Sequence, residues 1–226
     1  MGGQYHYTME PQTCICIPIE DGIHIYMATQ WMDLVNVAVS DALNISENKI
    51  TIEVKRLGGG YGGKISRPTQ LACAAALACL KTNRPIRFVL NIETNMEAIG
   101  KRYACISNYD VEVDRKGRIQ KLANNYCIDY GSSLNEPPEF FITSLFPNCY
   151  DNKQWTLTGK QVKTDAPSHT WCRAPGTTEA IAMIENIIEH IAFVTKEDPN
   201  DVRQVNFANN DMKKIYKDFL LSIGKF

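Results

Sequence analysis

The chain has 226 residues, 44% hydrophobic and 22% charged, and its formal net charge of −1 at pH 7 gives no global attraction for nucleic acid or an anionic membrane. No apolar run reaches the roughly 18 residues that span a bilayer, and the first residues, MGGQYH, lack the charged and apolar regions of a signal peptide. We therefore expect a cytoplasmic protein with neither a nucleic-acid nor a membrane partner.

The first half of the chain mixes strand and helix patterns. Alternating residues predict two paired strands at 13–19 and 23–28, and the period changes to that of a helix from Trp31, with Thr29 as its N-cap. Pro68 is expected to begin a second helix. The remaining predictions here are strands at 49–57 and 86–92, a helix end near residue 81, and a short helical turn at 93–100.

The second half is predicted to contain a long hairpin followed by helices. Its strands are expected at residues 104–113 and 118–129, with an irregular stretch at 130–151 that contains three prolines. The remaining predictions are a strand at 155–164, a helix at 177–195, a short helix from Pro199, and a weakly amphipathic, basic tail at 212–226. No internal repeat or low-complexity linker divides the chain, so the pattern indicates one α+β domain.

Residues 57–64, LGGGYGGK, hold five of the 14 glycines and follow a predicted strand. Such a glycine loop is typical of either a tight turn or a cradle of backbone N–H donors for an anion. The loop matches the dinucleotide-binding motif G-x-G-x-x-G, but the next helix starts later than that motif requires. It also nearly matches the Walker A motif, but Ile65 occupies the position at which that motif needs a hydroxyl group to bind Mg²⁺. A nucleotide-binding Rossmann module is therefore a weaker alternative.

The other chemistry-bearing residues are dispersed. Four histidines show no metal-ligand spacing, and eight cysteines contain no CxxC pair, so we expect buried free thiols and no metal ligated directly by side chains. Gln30 lies at a strand-to-helix junction where its amide could contact a ligand, although a loop contact is the more common role. Arg173 could pair with an anion or with a surface carboxylate, and Glu136 lies in a proline turn.

As a set, several motifs carry a specific resemblance. They are GGQYHYTME at residues 2–10, Thr29-Gln30, KRLGGGYGGK at residues 55–64, and WCRAPG at residues 171–176. In order and spacing they resemble the molybdenum-binding part of the aldehyde oxidase and xanthine dehydrogenase family, most like insect-type aldehyde oxidases. The resemblance implies a first molybdopterin-binding lobe at residues 1–210 and a tail at 211–226 that could be helical.

The resemblance also implies a set of cofactor contacts. The cofactor would be molybdenum-molybdopterin, with backbone N–H groups of the glycine loop near the apical oxygen and Tyr61 beside the metal, where family members usually have Phe. The amide of Gln30 and the backbone of Arg173 would lie next to the cofactor. The implied cofactor-binding residues are Gln30, Gly59, Gly60, Tyr61, Gly62 and Arg173.

Departures from the family pattern concern the substrate. Where xanthine-oxidising members have Glu, Arg and a ring-stacking Phe, this chain has Ile65, Ile92 and Pro175. A pocket with these side chains cannot hydrogen-bond a purine and favours an apolar substrate. The resemblance therefore implies a small-molecule aldehyde, which is oxidised with water to a carboxylic acid.

The resemblance places the catalytic base outside this chain. In the family the base is a Glu in a Gly-Glu-Pro-Pro segment far beyond the arginine motif, whereas Glu136 precedes Arg173 and follows Asn135, so no catalytic residue is assigned here. FAD and 2Fe-2S clusters are implied for a full-length, homodimeric enzyme and its remaining domains, but not for this chain. We expect a fragment that is inactive alone; the alternative is a non-catalytic remnant that acts as a folding or interaction module.

Overall fold

The computed structural model describes residues 1–224 and contains two small sheets, each covered by helices. The first sheet has four strands in the order β3-β2-β1-β4. Strand β1 pairs antiparallel with β2 and with β4, and β2 pairs parallel with β3. The strands are β1 (Thr13–Ile19), β2 (Gly22–Met27), β3 (Ile50–Glu53) and β4 (Ile86–Val89).

Two helices cover the first sheet, α1 (Met32–Leu43) and α2 (Pro68–Thr82), and a short helix, α3 (Ile92–Ala98), follows β4. In β1 the alternate residues Cys14 and Cys16 are buried, and in β2 every second residue is, as expected for strands with one face on a core. Cys14 and Cys16 therefore lie in the core as free thiols, and burial raises the pKa of Cys14 to about 12. The thiols act here as small apolar side chains.

The second sheet has three strands in the order β5-β6-β7, antiparallel between β5 and β6 and parallel between β6 and β7. Its core is built mainly from β6 and one long amphipathic helix, in which Ile184, Ile187 and Ile188 are fully buried. The elements are β5 (Cys105–Val113), β6 (Ile119–Gly131), α4 (Glu139–Leu145), β7 (Trp155–Lys163), α5 (Thr177–Thr195), α6 (Pro199–Asn206) and α7 (Asn210–Ser222).

The N-terminal segment, residues 1–12, connects the two halves. Its Gln4 carbonyl accepts a hydrogen bond from the Arg102 N–H at 2.9 Å, near the second sheet, and its Glu10 N–H donates to the Gly58 carbonyl at 3.1 Å, in the glycine loop. The segment has no regular secondary structure of its own. Its backbone hydrogen bonds therefore place the glycine loop at the junction of the two halves.

The predicted α+β class is confirmed, and so are the hairpin of β5 and β6 and the helix at 177–195. Four local predictions are wrong. The edge strand β3 ends at Glu53, opposite Tyr26, and Ile92 begins α3 instead of ending a strand. The irregular stretch contains α4, and the N-cap of α1 is Trp31 and not Thr29, although the Thr29 hydroxyl accepts from the Trp31 N–H.

Two kinds of feature are absent from residues 1–224. None of the helices in this range is long and apolar enough to cross a membrane. The same range contains no group of three or more His, Cys, Asp or Glu side chains placed to hold a metal ion.

Candidate functional site

The glycine loop is a tightly packed turn between β3 and α2. A Cβ atom added to Gly60 would lie 2.5 Å from the Gln30 Oε1 atom, and one added to Gly62 would lie 2.2 Å from the Trp171 carbonyl oxygen. Tyr61 has a positive φ of 53° and is about half exposed. Glycine is required because a side chain and a backbone carbonyl from two distant segments approach the loop closely.

Gln30 fixes one side of this loop. Its backbone N–H donates to the Lys64 carbonyl at 2.7 Å, and its side-chain Oε1 accepts from the Gly62 N–H at 3.0 Å and the Lys64 N–H at 3.2 Å. Within residues 1–224, the Gln30 amide nitrogen has no hydrogen-bond partner. Gln30 thus holds the loop with its oxygen and keeps two N–H donors for another group.

The backbone donors of the loop differ in availability. The Gly62 N–H is already satisfied by Gln30, and the Gly58 N–H donates to the Glu10 carboxylate at 2.9 Å. In the part of the chain that the structure describes, the N–H groups of Gly59, Gly60 and Tyr61 meet no acceptor. The sequence predicted four cradle residues in this loop, 59–62. Of these, only the N–H groups of residues 59–61 are available to a ligand in the described part of the chain.

The arginine loop, residues 171–176, contacts the other side of the glycine loop. The Arg173 N–H donates to the Tyr61 carbonyl at 2.8 Å, and the Arg173 carbonyl accepts from the Arg102 Nη2 at 2.6 Å. The Arg173 side chain is exposed, and Ala174 has a positive φ of 55°. The backbone of Arg173 thus bridges Tyr61 and Arg102, and its side chain has no hydrogen-bond partner among the residues that the structure describes.

Two polar side chains hold Trp171 at the start of the arginine loop. The Glu136 Oε2 accepts from the Trp171 N–H at 2.8 Å and from the Thr170 hydroxyl at 2.5 Å. The His6 Nε2–H donates to the Trp171 carbonyl at 2.7 Å, and burial lowers the pKa of His6, which favours the neutral ring. Glu136 therefore holds the start of the arginine loop in place.

Lys64, the last residue of the glycine loop, is almost completely buried, with 1% of its side chain exposed. Its ammonium group contacts the Glu10 Oε2 at 2.8 Å. Burial opposes the ionisation of Glu10, but the hydrogen bonds from Lys64 and from the Gly58 N–H, together with the lysine charge, lower its pKa overall. This pair ties the N-terminal segment to both ends of the glycine loop.

A cavity of about 400 Å³ lies where these segments meet. Tyr61 and Arg173, both predicted from the sequence, line it together with residues that the sequence did not assign to the site. The full lining is Gln4, Tyr5, His6, Tyr61, Arg102, Cys172 and Arg173. The N-terminal motif was part of the sequence pattern, whereas nothing in the sequence around Arg102 indicated a role for it.

The three predicted substrate-pocket residues lie in different elements. The Ile65 N–H donates to the Gly62 carbonyl at 3.2 Å, which places Ile65 directly after the glycine loop. Pro175 lies in the arginine loop, while Ile92 begins α3 and is 41% exposed. Ile65 and Pro175 are therefore adjacent to the site through their loops, and the assignment of all three to one pocket stays a prediction.

Comparison with known proteins adds an independent result. The model of the molybdopterin cofactor-binding domain family matches residues 1–207. The chain is 36% identical to "Aldehyde oxidase 2" of Rattus norvegicus over 222 residues, and 33% identical to "Aldehyde oxidase 4" of Arabidopsis thaliana over 222 residues. Each alignment covers 96% of this chain and 16% of the relative, so the chain spans about a sixth of the length of these relatives.

Solved structures share the fold at lower identity. Quinoline 2-oxidoreductase from Pseudomonas putida 86 superposes with a TM-score of 0.84 at 20% identity, over 93% of this chain and 28% of that chain. The aldehyde oxidoreductase from Desulfovibrio gigas gives a TM-score of 0.80 at 17% identity, over 92% of this chain and 23% of that chain. At these identities the likeness shows the fold alone.

Proposed function

Because the chain belongs to the molybdopterin cofactor-binding domain family of aldehyde oxidase-like enzymes, we propose that it forms one lobe of a molybdenum site that oxidises an aldehyde with water to a carboxylic acid. The observation that carries this proposal is the convergence of Gln30, the glycine loop and Arg173, three features separated by up to 143 residues of sequence (173 − 30). These are the segments to which the sequence assigned cofactor contacts.

The donor set fits the proposed molybdenum-molybdopterin cofactor. Among the described residues, the donors without an acceptor are the N–H groups of residues 59–61 and the amide nitrogen of Gln30. All of them are neutral, and they suit polarised oxygen atoms. When bound, the cofactor supplies the two-electron oxidation. This chain's part is to bind and orient the cofactor, with Tyr61 at the open face of the loop and the Arg173 side chain at the rim of the adjoining cavity.

The substrate class follows from what the predicted pocket lacks. Ile65, Ile92 and Pro175 offer no side-chain donor or acceptor to a purine, so we propose an apolar aldehyde as substrate. A site built to hydrogen-bond a polar ring discriminates strongly against analogues, whereas an aliphatic pocket tolerates a range of apolar groups. We therefore expect activity on several aldehydes and none on xanthine.

We assign the remaining machinery to parts of a longer protein. Residues 1–210 form the proposed lobe, and residues 211–226 form a tail that includes most of α7. The catalytic Glu, the FAD and the 2Fe-2S clusters would be supplied outside this chain, in a homodimeric cytoplasmic enzyme. The 226-residue chain alone should then be inactive, and measurable aldehyde turnover by the purified chain would contradict this assignment.

The proposed function is tested on the protein isolated from its own source. We expect molybdenum and pterin to be present at about one per chain, and aldehyde but not xanthine to be oxidised. A well-folded protein that contains neither molybdenum nor pterin would contradict the proposal and favour the non-catalytic module. Binding of nicotinamide or flavin by the purified 226-residue chain alone would instead favour the nucleotide-binding alternative.

Substitutions of Gln30 separate its two roles. In Gln30→Glu the side chain can still accept from the Gly62 and Lys64 N–H groups, but it no longer has the amide donors. We expect Gln30→Glu to fold normally but to bind molybdopterin about tenfold or more weakly, whereas Gln30→Leu should also lose about 1–3 kcal/mol of stability because two N–H groups lose their acceptor. Pterin content and urea unfolding measure the two effects, and full pterin retention by Gln30→Glu would contradict the donor role.

A further inference from the structure

We propose that Arg102 is a positioning residue for the cofactor site: its guanidinium fixes the arginine loop and, through the Arg173 peptide, the Tyr61 end of the glycine loop. This inference rests on the proposed function. Arg102 is 4% exposed and lines the cavity that Tyr61 and Arg173 also line. It lies between α3 and β5, outside every motif that carries the family resemblance.

The contacts of Arg102 reach three separate segments. Its Nε donates to the Gln4 Oε1 at 2.7 Å, in the N-terminal segment, and its Nη2 donates to the Arg173 carbonyl at 2.6 Å. Its Nη1 contacts the Ala174 carbonyl at 3.5 Å and the Glu179 Oε1 at 3.4 Å, at the start of α5. The planar fork of a guanidinium can satisfy such a divergent set of acceptors, and a lysine ammonium cannot.

The link from Arg102 to the cofactor cradle passes through a single residue. Arg173 accepts from Arg102 with its carbonyl and donates to the Tyr61 carbonyl with its N–H, so one peptide segment transmits the position of the guanidinium to the loop. Tyr61 and Ala174 both have positive φ, a conformation that non-glycine residues adopt only when their surroundings hold it. Arg102 supplies part of that restraint at the carbonyls of Arg173 and Ala174.

The charge of Arg102 is balanced by Glu179, whose side chain is fully buried. The second carboxylate oxygen of Glu179 has no hydrogen-bond partner within the described residues, so the pair is only partly satisfied. Replacing Arg102 alone would leave an unpaired buried carboxylate, and the variant could unfold for that reason. Replacing both charges with apolar residues of similar size removes this penalty while also removing the guanidinium contacts.

The test therefore uses the double variant Arg102→Met with Glu179→Met in the protein as naturally expressed. We expect its thermal unfolding midpoint to stay close to that of the wild type, its affinity for molybdopterin to fall about 10- to 100-fold, and amide hydrogen exchange in residues 58–64 of the cofactor-free protein to speed up. Arg102→Lys keeps the charge beside Glu179 and should show the same losses. If both variants retain molybdopterin and exchange the amide hydrogens of residues 58–64 as the wild type does, the inference is overturned.

Arg203→Lys is the matched control. Arg203 is also a partly buried arginine that bridges two carboxylates, Glu185 and Glu189, but it lies on α6 and does not line the cavity. We expect it to change neither pterin retention nor exchange of residues 58–64. If the wild type itself carries no molybdopterin, the proposed function fails; the exchange measurement on the cofactor-free protein still decides whether Arg102 positions the loop.

Discussion

Gly62→Ala is expected to destabilise the chain by about 3–5 kcal/mol and to abolish cofactor binding. Two costs add at this position. The residue has a φ of +98°, which is strained for any L side chain, and a Cβ would lie 2.2 Å from the Trp171 carbonyl oxygen and 2.7 Å from its carbonyl carbon. Because these are backbone atoms that His6 and Glu136 hold in place, the neighbour cannot move aside as a flexible side chain would.

Urea unfolding of Gly62→Ala and of Gly59→Ala separates the two costs. Gly59 has a similar φ of +95°, but its added Cβ would be 3.3 Å from side-chain atoms of Thr8 and Tyr61, so it tests the strain with much less crowding. We expect Gly59→Ala to cost about 1–3 kcal/mol, and Gly2→Ala, which has open space around it, to cost under about 0.5 kcal/mol. A Gly62→Ala variant as stable as Gly59→Ala would show that the Trp171 contact is not rigid.

The regular elements could be predicted because their signals are local. Alternation over β1, β5 and β6 and the apolar stripe of α5 determine which residues are buried, and the structure has these elements within about two residues of the predicted bounds. Helix α4 was missed because its seven residues follow two prolines and are stabilised by tertiary packing of Ile142 in the second core. Ile92 was misplaced because an apolar residue next to a strand does not reveal where the next helix begins.

The candidate site was partly predictable. The glycine loop, Gln30 and Arg173 could be identified because they belong to recognisable motifs, and the structure joins them through hydrogen bonds. The side chains that hold these segments in place could not be identified as such. The hydrogen bonds of His6 to Trp171 and of Arg102 to Arg173 join residues 165 and 71 positions apart, and contacts of this range leave no periodic signal in the sequence. The sequence therefore indicated the donors of the site but not the two side chains, His6 and Arg102, that orient them.

Glu10→Ala is expected to be nearly as damaging as Gly62→Ala, with a loss of about 3–5 kcal/mol. The substitution would leave the Lys64 ammonium buried, with 1% of its side chain exposed, and would also remove the acceptor of the Gly58 N–H. Asp21→Ala is the matched control, because its pair with Lys49 has a similar separation of 2.7 Å but both partners are exposed, by 81% and 45%. That control should cost under about 1 kcal/mol.

The stability contributed by Glu10 should also depend on pH. The folded-state pKa of Glu10 is lowered from its ordinary value of 4.5, so the folded protein favours the ionised carboxylate more than the unfolded chain does. The contribution is therefore complete above the ordinary pKa and is lost as pH falls through the lowered value. The difference in unfolding free energy between wild type and Glu10→Ala should be constant from about pH 6 to 8 and shrink below about pH 4.5. A difference that stays constant in acid would show that the loss comes from the packing of the side chain and not from its charge.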